Sequence, residues 1–275
     1  MMPSIDEPKA DKNMRSALNV IAITGASSGI GAALARHYAA PGRTLALVGR
    51  HAERLKGVAD DCIKKGASIE IGVIDVRDRV AIGGWLLSVD ARVEIDLLIA
   101  NAGILTGSLE KSSIETLDMS TVQIETNFIG ALNTALPLLE KMLARKRGQI
   151  AFTSSLAAFA SHPDWPAYCA SKAGLLVYAM SLRERVRGSG VRINTICPGW
   201  VTAPINDPYE MWRPLEMKPE AAAKAIARGL ARDKAIIAFP QPLAFSSRHL
   251  MPLLPQIFHR LGYKAFKARA RTVRS

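Results

Sequence analysis

Cysteine is scarce in this chain of 275 residues, and the three that occur, Cys62, Cys169 and Cys197, are scattered. Their spacing matches neither a disulfide framework nor a metal site, which points to a reducing compartment, ordinary thiols and no metal. No apolar run approaches the ~18–20 residues a helix needs to cross a bilayer. The opening stretch MMPSIDEPKADKNMRS is polar and carries acids, unlike a secretory signal. Residues 1–16 are therefore expected to form a flexible extension, and the protein to be cytoplasmic. Acids are missing from one region altogether: Lys234 to Ser275 holds eight Lys or Arg and no Asp or Glu. Most of the net charge of +12 thus belongs to the C-terminal end, and any polyanionic partner should meet it there. Interleaved aromatic platforms are absent, so nucleic acid is not an expected partner.

What is present suffices for one sizeable core, since 49% of the residues are hydrophobic. Asn19 to Thr24 is a short apolar run of buried-strand type. The turn Gly25 to Gly31 follows and opens into a helix ended by Pro41 and Gly42. Gly25 permits a tight turn, Gly29 close approach of backbone, and Gly31 close packing of helix on strand. A helix N-terminus placed this way receives a pyrophosphate. The spacing is G-x-x-x-G-x-G, and a plain strand–helix turn is the alternative. A second strand, Thr44 to Val48, ends at Gly49 and Arg50, where NAD sites tend to place an acid. A guanidinium there suits a 2′-phosphate, although Arg50 could equally begin the next helix.

Further strands are expected over Ser68–Asp75, Ile95–Ala100, Ile150–Phe152, Val191–Ile196 and Ala235–Phe239. Helices are expected over Asp78–Val89, a long stretch from about Ser112 to Arg145, a segment entered at Asp164–Pro166, and Pro219–Ala231. This alternation predicts an α/β fold with a doubly wound parallel sheet in three layers, of Rossmann type. The expected division is a flexible 1–16, a catalytic domain over 17–240 and a basic amphipathic tail over 241–275.

The most informative stretch is QIAFTSSLAAFASHPDWPAYCASKAG, Gln149 to Gly174. Its strand ends in the hydroxyl cluster Thr153, Ser154 and Ser155, and its helix carries Tyr168 and Lys172 four apart, on one face. A free phenol titrates near pH 10, and a nearby cation favours the phenolate and lowers that value. Tyr168 could then protonate a developing alkoxide, with Ser155 bonding the same oxygen. An exposed, solvated Tyr–Lys pair is the plain alternative. Cys169 lies beside Tyr168 but is read as an ordinary thiol.

Taken together, TGASSGIG (Thr24 to Gly31), Asp75-Val76, Asn101-Ala102-Gly103, Asn127, Ser155, YCASK (Tyr168 to Lys172) and Pro198-Gly199 with Thr202 resemble the short-chain dehydrogenase/reductase family. The resemblance is to its compact single-domain branch. It spans about residues 18–240 in the family's order, with Ser155 thirteen before Tyr168 and Asn127 twenty-eight before Ser155. One departure is Ala100, where Asn often stands. The resemblance implies an oxidoreductase interconverting a carbonyl and an alcohol; Arg50 makes NADP(H) the preferred cofactor, with NAD(H) possible. The resemblance makes Tyr168 the proton donor or acceptor and Lys172 the group that holds the nicotinamide ribose and lowers the phenol's pKa. Ser155 would polarise the carbonyl, and Asn127 would hold a water linking Lys172 to solvent. Asp75 and Val76 would meet the adenine. Thr202, Val201 and the backbone of Pro198 and Gly199 would position the nicotinamide. The turn residues Ser27, Ser28 and Ile30, with Asn101, Ala102 and Gly103, complete the expected cofactor site. A homodimer or homotetramer through the helices carrying Asn127 and Tyr168 is implied as well.

The segment APINDPYEMWRPLEMK, between Thr202 and Pro219, stands where the family carries its substrate lid. Met211, Trp212, Leu215 and Met217 make it apolar, so a hydrophobic or acyl-like small-molecule carbonyl or alcohol is expected. In the tail, Leu250, Leu253, Leu254, Ile257, Phe258, Leu261 and Phe266 alternate with Arg260, Lys264 and Lys267. Such a face could contact an anionic membrane, or pack on a partner subunit or over the cleft. A cofactor-binding regulator or scaffold working through that tail is the second reading. An epimerase or dehydratase of the same fold is the third.

Overall fold

A computed structural model describes residues 18–106, 114–206, 209–210, 213–250 and 269–270. Seven parallel strands form the central sheet: β1 (Val20–Thr24), β2 (Thr44–Gly49), β3 (Ser68–Val73), β4 (Leu97–Ala100), β5 (Gly148–Thr153), β6 (Val191–Pro198) and β8 (Ile236–Phe239), in the order β3-β2-β1-β4-β5-β6-β8. A separate two-residue antiparallel ladder joins β7 (Tyr209–Glu210) to β9 (Arg269–Ala270). Chain direction across the sheet reverses between β1 and β4, which pair with Ile21 opposite Leu97. Sheets of this kind open a crevice beyond the carboxyl ends of the strands at that point.

The strands are apolar on both faces because helices cover both. In β1, Ile21 and Ile23 face one layer, with Leu34 of α1 (Gly29–Tyr38), Leu55 of α2 (Ala52–Ile63) and Ile226 of α7 (Pro219–Ala231). Val20 and Ala22 face the other, with Leu86 of α3 (Arg79–Arg92), Leu138 of α5 (Gly130–Ala144) and Leu175 of α6 (Pro166–Arg185). Each fully buried Leu or Ile contributes about 1.5–3 kcal/mol, so the two layers hold the sheet from both sides.

Three elements depart from expectation. The third strand stops at Val73, since Asp75 turns the chain by accepting the Arg77 N–H at 3.0 Å. The helix expected up to Arg145 is divided into α4 (Leu117–Ile124), a π-turn over Glu125–Ile129, and α5. Its expected start falls on 107–113, outside the described residues. After β8 the chain continues as α8 (Gln241–Phe245) and a second π-turn, Ser246–Leu250, packed on β8 and on the 3-10 turn Leu156–Phe159. Residues 1–17 and the amphipathic face from Leu253 to Phe266 lie outside the described residues. No helix among those described is long and apolar enough to cross a membrane.

Candidate active site

The turns that follow β1 and β4 are stitched together. Thr24 Oγ1 accepts the N–H groups of Asn101 at 3.0 Å and Ala102 at 3.1 Å, and Asn101 Nδ2 donates to Thr24 O at 3.1 Å. Gly25 adopts φ +67, and a Cβ there would sit 2.9 Å from Ala102 Cα. Side chains are thus excluded twice at this turn, by conformation and by space. The first turn of α1 has no acidic residue, and Ser28 at its N-cap makes no side-chain cap bond. Its N–H groups and positive dipole end suit a pyrophosphate.

Beyond these turns lies one cavity of about 650 Å³. Every residue expected to meet the cofactor lines it except Gly31 and Thr202. Gly31 sits behind the turn, where a Cβ would come within 2.2 Å of Gly25 O. Thr202 is exposed, and its N–H donates to Met217 O at 3.0 Å. Arg50, with His51 and Arg54, lines the end nearest β2. Arg50 Nη1 lies 3.6 Å from Asp75 Oδ2, and Arg77 grips the same carboxylate at 2.8 Å. The hydrogen bonds from Arg77 hold the Asp75 carboxyl below the usual carboxylate range.

At the other end α6 brings Tyr168 and Lys172 into the same cavity as Ser155. Lys172 Nζ donates to Thr153 O at 2.9 Å and lies 5.8 Å from the centre of the Tyr168 ring. Ser155 Oγ accepts from Ala157 N at 3.1 Å and faces the phenol. Ser154 is committed elsewhere: its Oγ donates to Lys172 O at 2.7 Å, inside the core. The two adjacent serines are thereby told apart.

Burial dominates the electrostatics. It pushes the Tyr168 phenol up to about 12, partly offset by the Ser155 hydroxyl. The same burial lowers Lys172 to about 8, so the cation that was to stabilise a phenolate is itself weakened. Asn127 Oδ1 accepts Ile104 N at 2.7 Å and its Nδ2 donates to Ile104 O at 2.9 Å and to Ser171 Oγ at 3.2 Å. The side chain clamps the Ile104 peptide from a π-turn, an irregularity that often marks functional sites.

Other lining residues were not singled out by sequence: Ile104, Leu105, Thr106, Leu156, Trp165, Trp200 and Leu243. Leu243 lies in the short helix α8 and the others in loops and short turns, segments whose apolar residues have no periodicity to read. Of the apolar lid residues, Met211 and Trp212 lie outside the described residues, Leu215 is exposed, and Met217 packs on the main core. Cys169 lines the cavity too, but burial raises its thiol pKa, which suits an ordinary thiol. Among the described residues no group of His, Cys, Asp and Glu could hold a metal.

Residues 19–214 match the family model for the short chain dehydrogenases. The chain belongs to the short-chain dehydrogenase family. Members are NAD(P)-dependent dehydrogenases and reductases, and the chain is an oxidoreductase of that kind. An uncharacterized oxidoreductase of Myxococcus xanthus (strain DK1622) is 33% identical over 240 residues, 87% of this chain and 92% of that one. A fatty acyl-CoA reductase of Acinetobacter baylyi is 31% identical over 250 residues, covering 90% of this chain and 85% of the relative. Among solved structures, the short-chain dehydrogenase from Sphingobium yanoikuyae in complex with NADPH superimposes with a TM-score of 0.74 at 23% identity. That match covers 93% of this chain and 99% of the other, and it shows the shared dehydrogenase fold.

Burying a lysine for such a site carries a stability cost with a definite pH window. In the unfolded chain Lys172 keeps its proton up to its ordinary 10.5, whereas the folded chain releases it at about 8. The cost is therefore complete below pH 8 and is relieved as pH rises from 8 towards 10.5. Lys172→Met should stabilise the folded chain at pH 7 by up to about 3 kcal/mol. The advantage should shrink towards zero by about pH 10.5. Urea midpoints at the two pH values measure it; a variant less stable than wild type at pH 7 would refute the account.

Proposed function

We propose that the chain is an NADP(H)-dependent reductase of hydrophobic, acyl-like aldehydes or ketones, with Tyr168 as the general acid. The observation that carries this reading is the single cavity in which Tyr168, Ser155 and Lys172 meet both the glycine turn with Arg50 and an apolar wall. The N-terminus of α1 would hold the pyrophosphate, Arg50 the 2′-phosphate, Asp75 and Val76 the adenine, and Lys172 the nicotinamide ribose. When bound, NADP(H) supplies the hydride. Ser155 donates a hydrogen bond to the carbonyl oxygen and fixes its distance from Tyr168. Tyr168, pushed up to about 12, keeps its proton at neutral pH and so is loaded to deliver it to the developing alkoxide. Alcohol oxidation uses the same phenol in its deprotonated form, as the base. Asn127 holds the Ile104 peptide beside Gly103, at which a Cβ would lie 3.2 Å from both Asn127 Oδ1 and Lys172 Nζ. Asn127 Oδ1 accepts one N–H and has a second lone pair, which would hold the water linking Lys172 to solvent.

The wall of Leu105, Leu156, Trp165, Trp200 and Leu243 offers apolar surface and no formal charge to a substrate. The similarity to a fatty acyl-CoA reductase supports the same class. Assembly into a homodimer or homotetramer belongs to this reading, since Leu136 on α5 and Val177 on α6 expose apolar surface.

Oxidation of NADPH and NADH should be followed with aldehydes and methyl ketones from butanal upwards in chain length, using wild type and Arg50→Ala. Wild type should prefer NADPH and the longer chains. Removing the guanidinium should reduce kcat/KM for NADPH by roughly 10–100-fold, the loss of a charge-assisted contact, and leave NADH nearly unchanged. Equal use of both cofactors by wild type would defeat the 2′-phosphate argument, and preference for short or charged carbonyls would defeat the substrate class.

A further inference from the structure

We infer that Glu115 is a positioning residue that fastens the cavity wall at Ile104–Thr106 to the helix carrying Tyr168 and Lys172. The inference deepens the function proposed above and rests on it for the roles of those two side chains. Its starting point is a missing cap. Helix α6 begins with Trp165 at its N-cap, a side chain that accepts no cap bond, followed by Pro166. The N–H groups of a first turn need partners from elsewhere. Glu115, 52 residues earlier, supplies one: its Oε2 accepts Ala167 N at 2.9 Å, immediately before Tyr168. A carboxylate at a helix N-terminus is also favoured by the dipole.

The other side of the same carboxylate reaches the wall. Glu115 Oε1 accepts from Gln123 Nε2, and Ser120 Oγ donates to Oε2 at 3.3 Å. Gln123 is fully buried, and its Oε1 accepts Thr106 N at 3.1 Å. Thr106 Oγ1 in turn donates to Met119 O at 3.2 Å. The chain of bonds has a direction. A carboxylate only accepts, so it draws the amide NH₂ of Gln123 towards itself and leaves the amide oxygen for Thr106. Ile104, Leu105 and Thr106 line the cavity, as do Trp165 and Tyr168 at the start of α6. Glu115 is where those two walls are joined.

The direction of the bonds makes an isosteric change informative. In Glu115→Gln the introduced amide must point its NH₂ at a donor, either Ala167 N–H or the Gln123 amide, so one link fails. Adding Gln123→Glu restores the pattern: the amide at 115 accepts from Ala167 and donates to the carboxylate at 123, which accepts Thr106 N–H.

Hydrogen exchange should be measured on the full chain, wild type, Glu115→Gln and the double variant, with NADPH affinity and steady-state reduction of decanal. The single variant should exchange roughly five- to tenfold faster at the 104–106 and 167–169 amides. Exchange in β1 and α1 should be unchanged. Its kcat for decanal should fall about tenfold or more and its KM rise, since misplacing a reacting group is costly, while NADPH affinity holds. The double variant should regain protection in both segments. Unchanged exchange in either segment, loosening spread evenly through the sheet, or a folded double variant without recovered protection would each overturn the inference. A double variant that fails to fold leaves the single variant to decide. Because exchange does not depend on turnover, a Tyr168→Phe protein that stayed active would sink the proposed acid and leave this test standing.

Discussion

Tyr168→Phe should lower NADPH-dependent carbonyl reduction by about 10²–10⁴-fold, the range for losing a general acid, with NADPH still bound. The phenylalanine ring keeps the buried volume. What goes is the hydroxyl that Ser155 faces, and with it the proton proposed for the alkoxide. Lys172 keeps its bond to Thr153 O at 2.9 Å, so its position is not disturbed. Folding should therefore be intact, and the loss should appear in kcat. Single-turnover reduction monitored through NADPH absorbance measures it. Retention of more than about a tenth of wild-type turnover would assign the proton to another group.

The second large effect is expected away from the chemistry, at Gly31. This residue does not line the cavity, yet a Cβ on it would lie 2.2 Å from Gly25 O and 2.8 Å from Asn101 Nδ2. The nearer obstacle is backbone, so it cannot rotate out of the way. Gly31→Ala must push α1 away from the turn after β1, and with it the N–H groups offered to the pyrophosphate. Overpacking of this kind costs about 1–3 kcal/mol, and NADPH affinity should fall by roughly 10–100-fold. Gly57→Ala in α2 is the matched control. Its Cβ would meet nothing within 4 Å, and in a helix interior it should stabilise by up to about 1 kcal/mol. Fluorescence titration with NADPH separates the two. Wild-type affinity in Gly31→Ala would show that helix and turn have slack that the packing denies them.

The contrast between these two positions reflects what spacing can convey. Tyr168, Lys172 and Ser155 are close in sequence, and helix and strand geometry alone brings them towards one place. The glycine turn is legible for the same reason: strand, turn and helix are consecutive. Asn127 was legible as a position but not as a contact, because its partners are Ile104, 23 residues away, and Ser171, 44 away. Glu115 carried no signal whatever, since nothing in a lone acid before a helix tells that its oxygens reach Gln123 and Ala167.

By itself the sequence determined the family, the parallel sheet covered on both faces, and the residues that meet at its carboxyl edge. Periodicity and short spacings are local properties, and local geometry converts them directly into shared faces. Only the tertiary structure decided that burial pushes the Tyr168 phenol up to about 12 and Lys172 down to about 8. It also decided that Leu105, Leu156, Trp165, Trp200 and Leu243 gather at one cavity. Desolvation and hydrogen-bond direction depend on what distant segments place around a group, and no spacing along the chain records that.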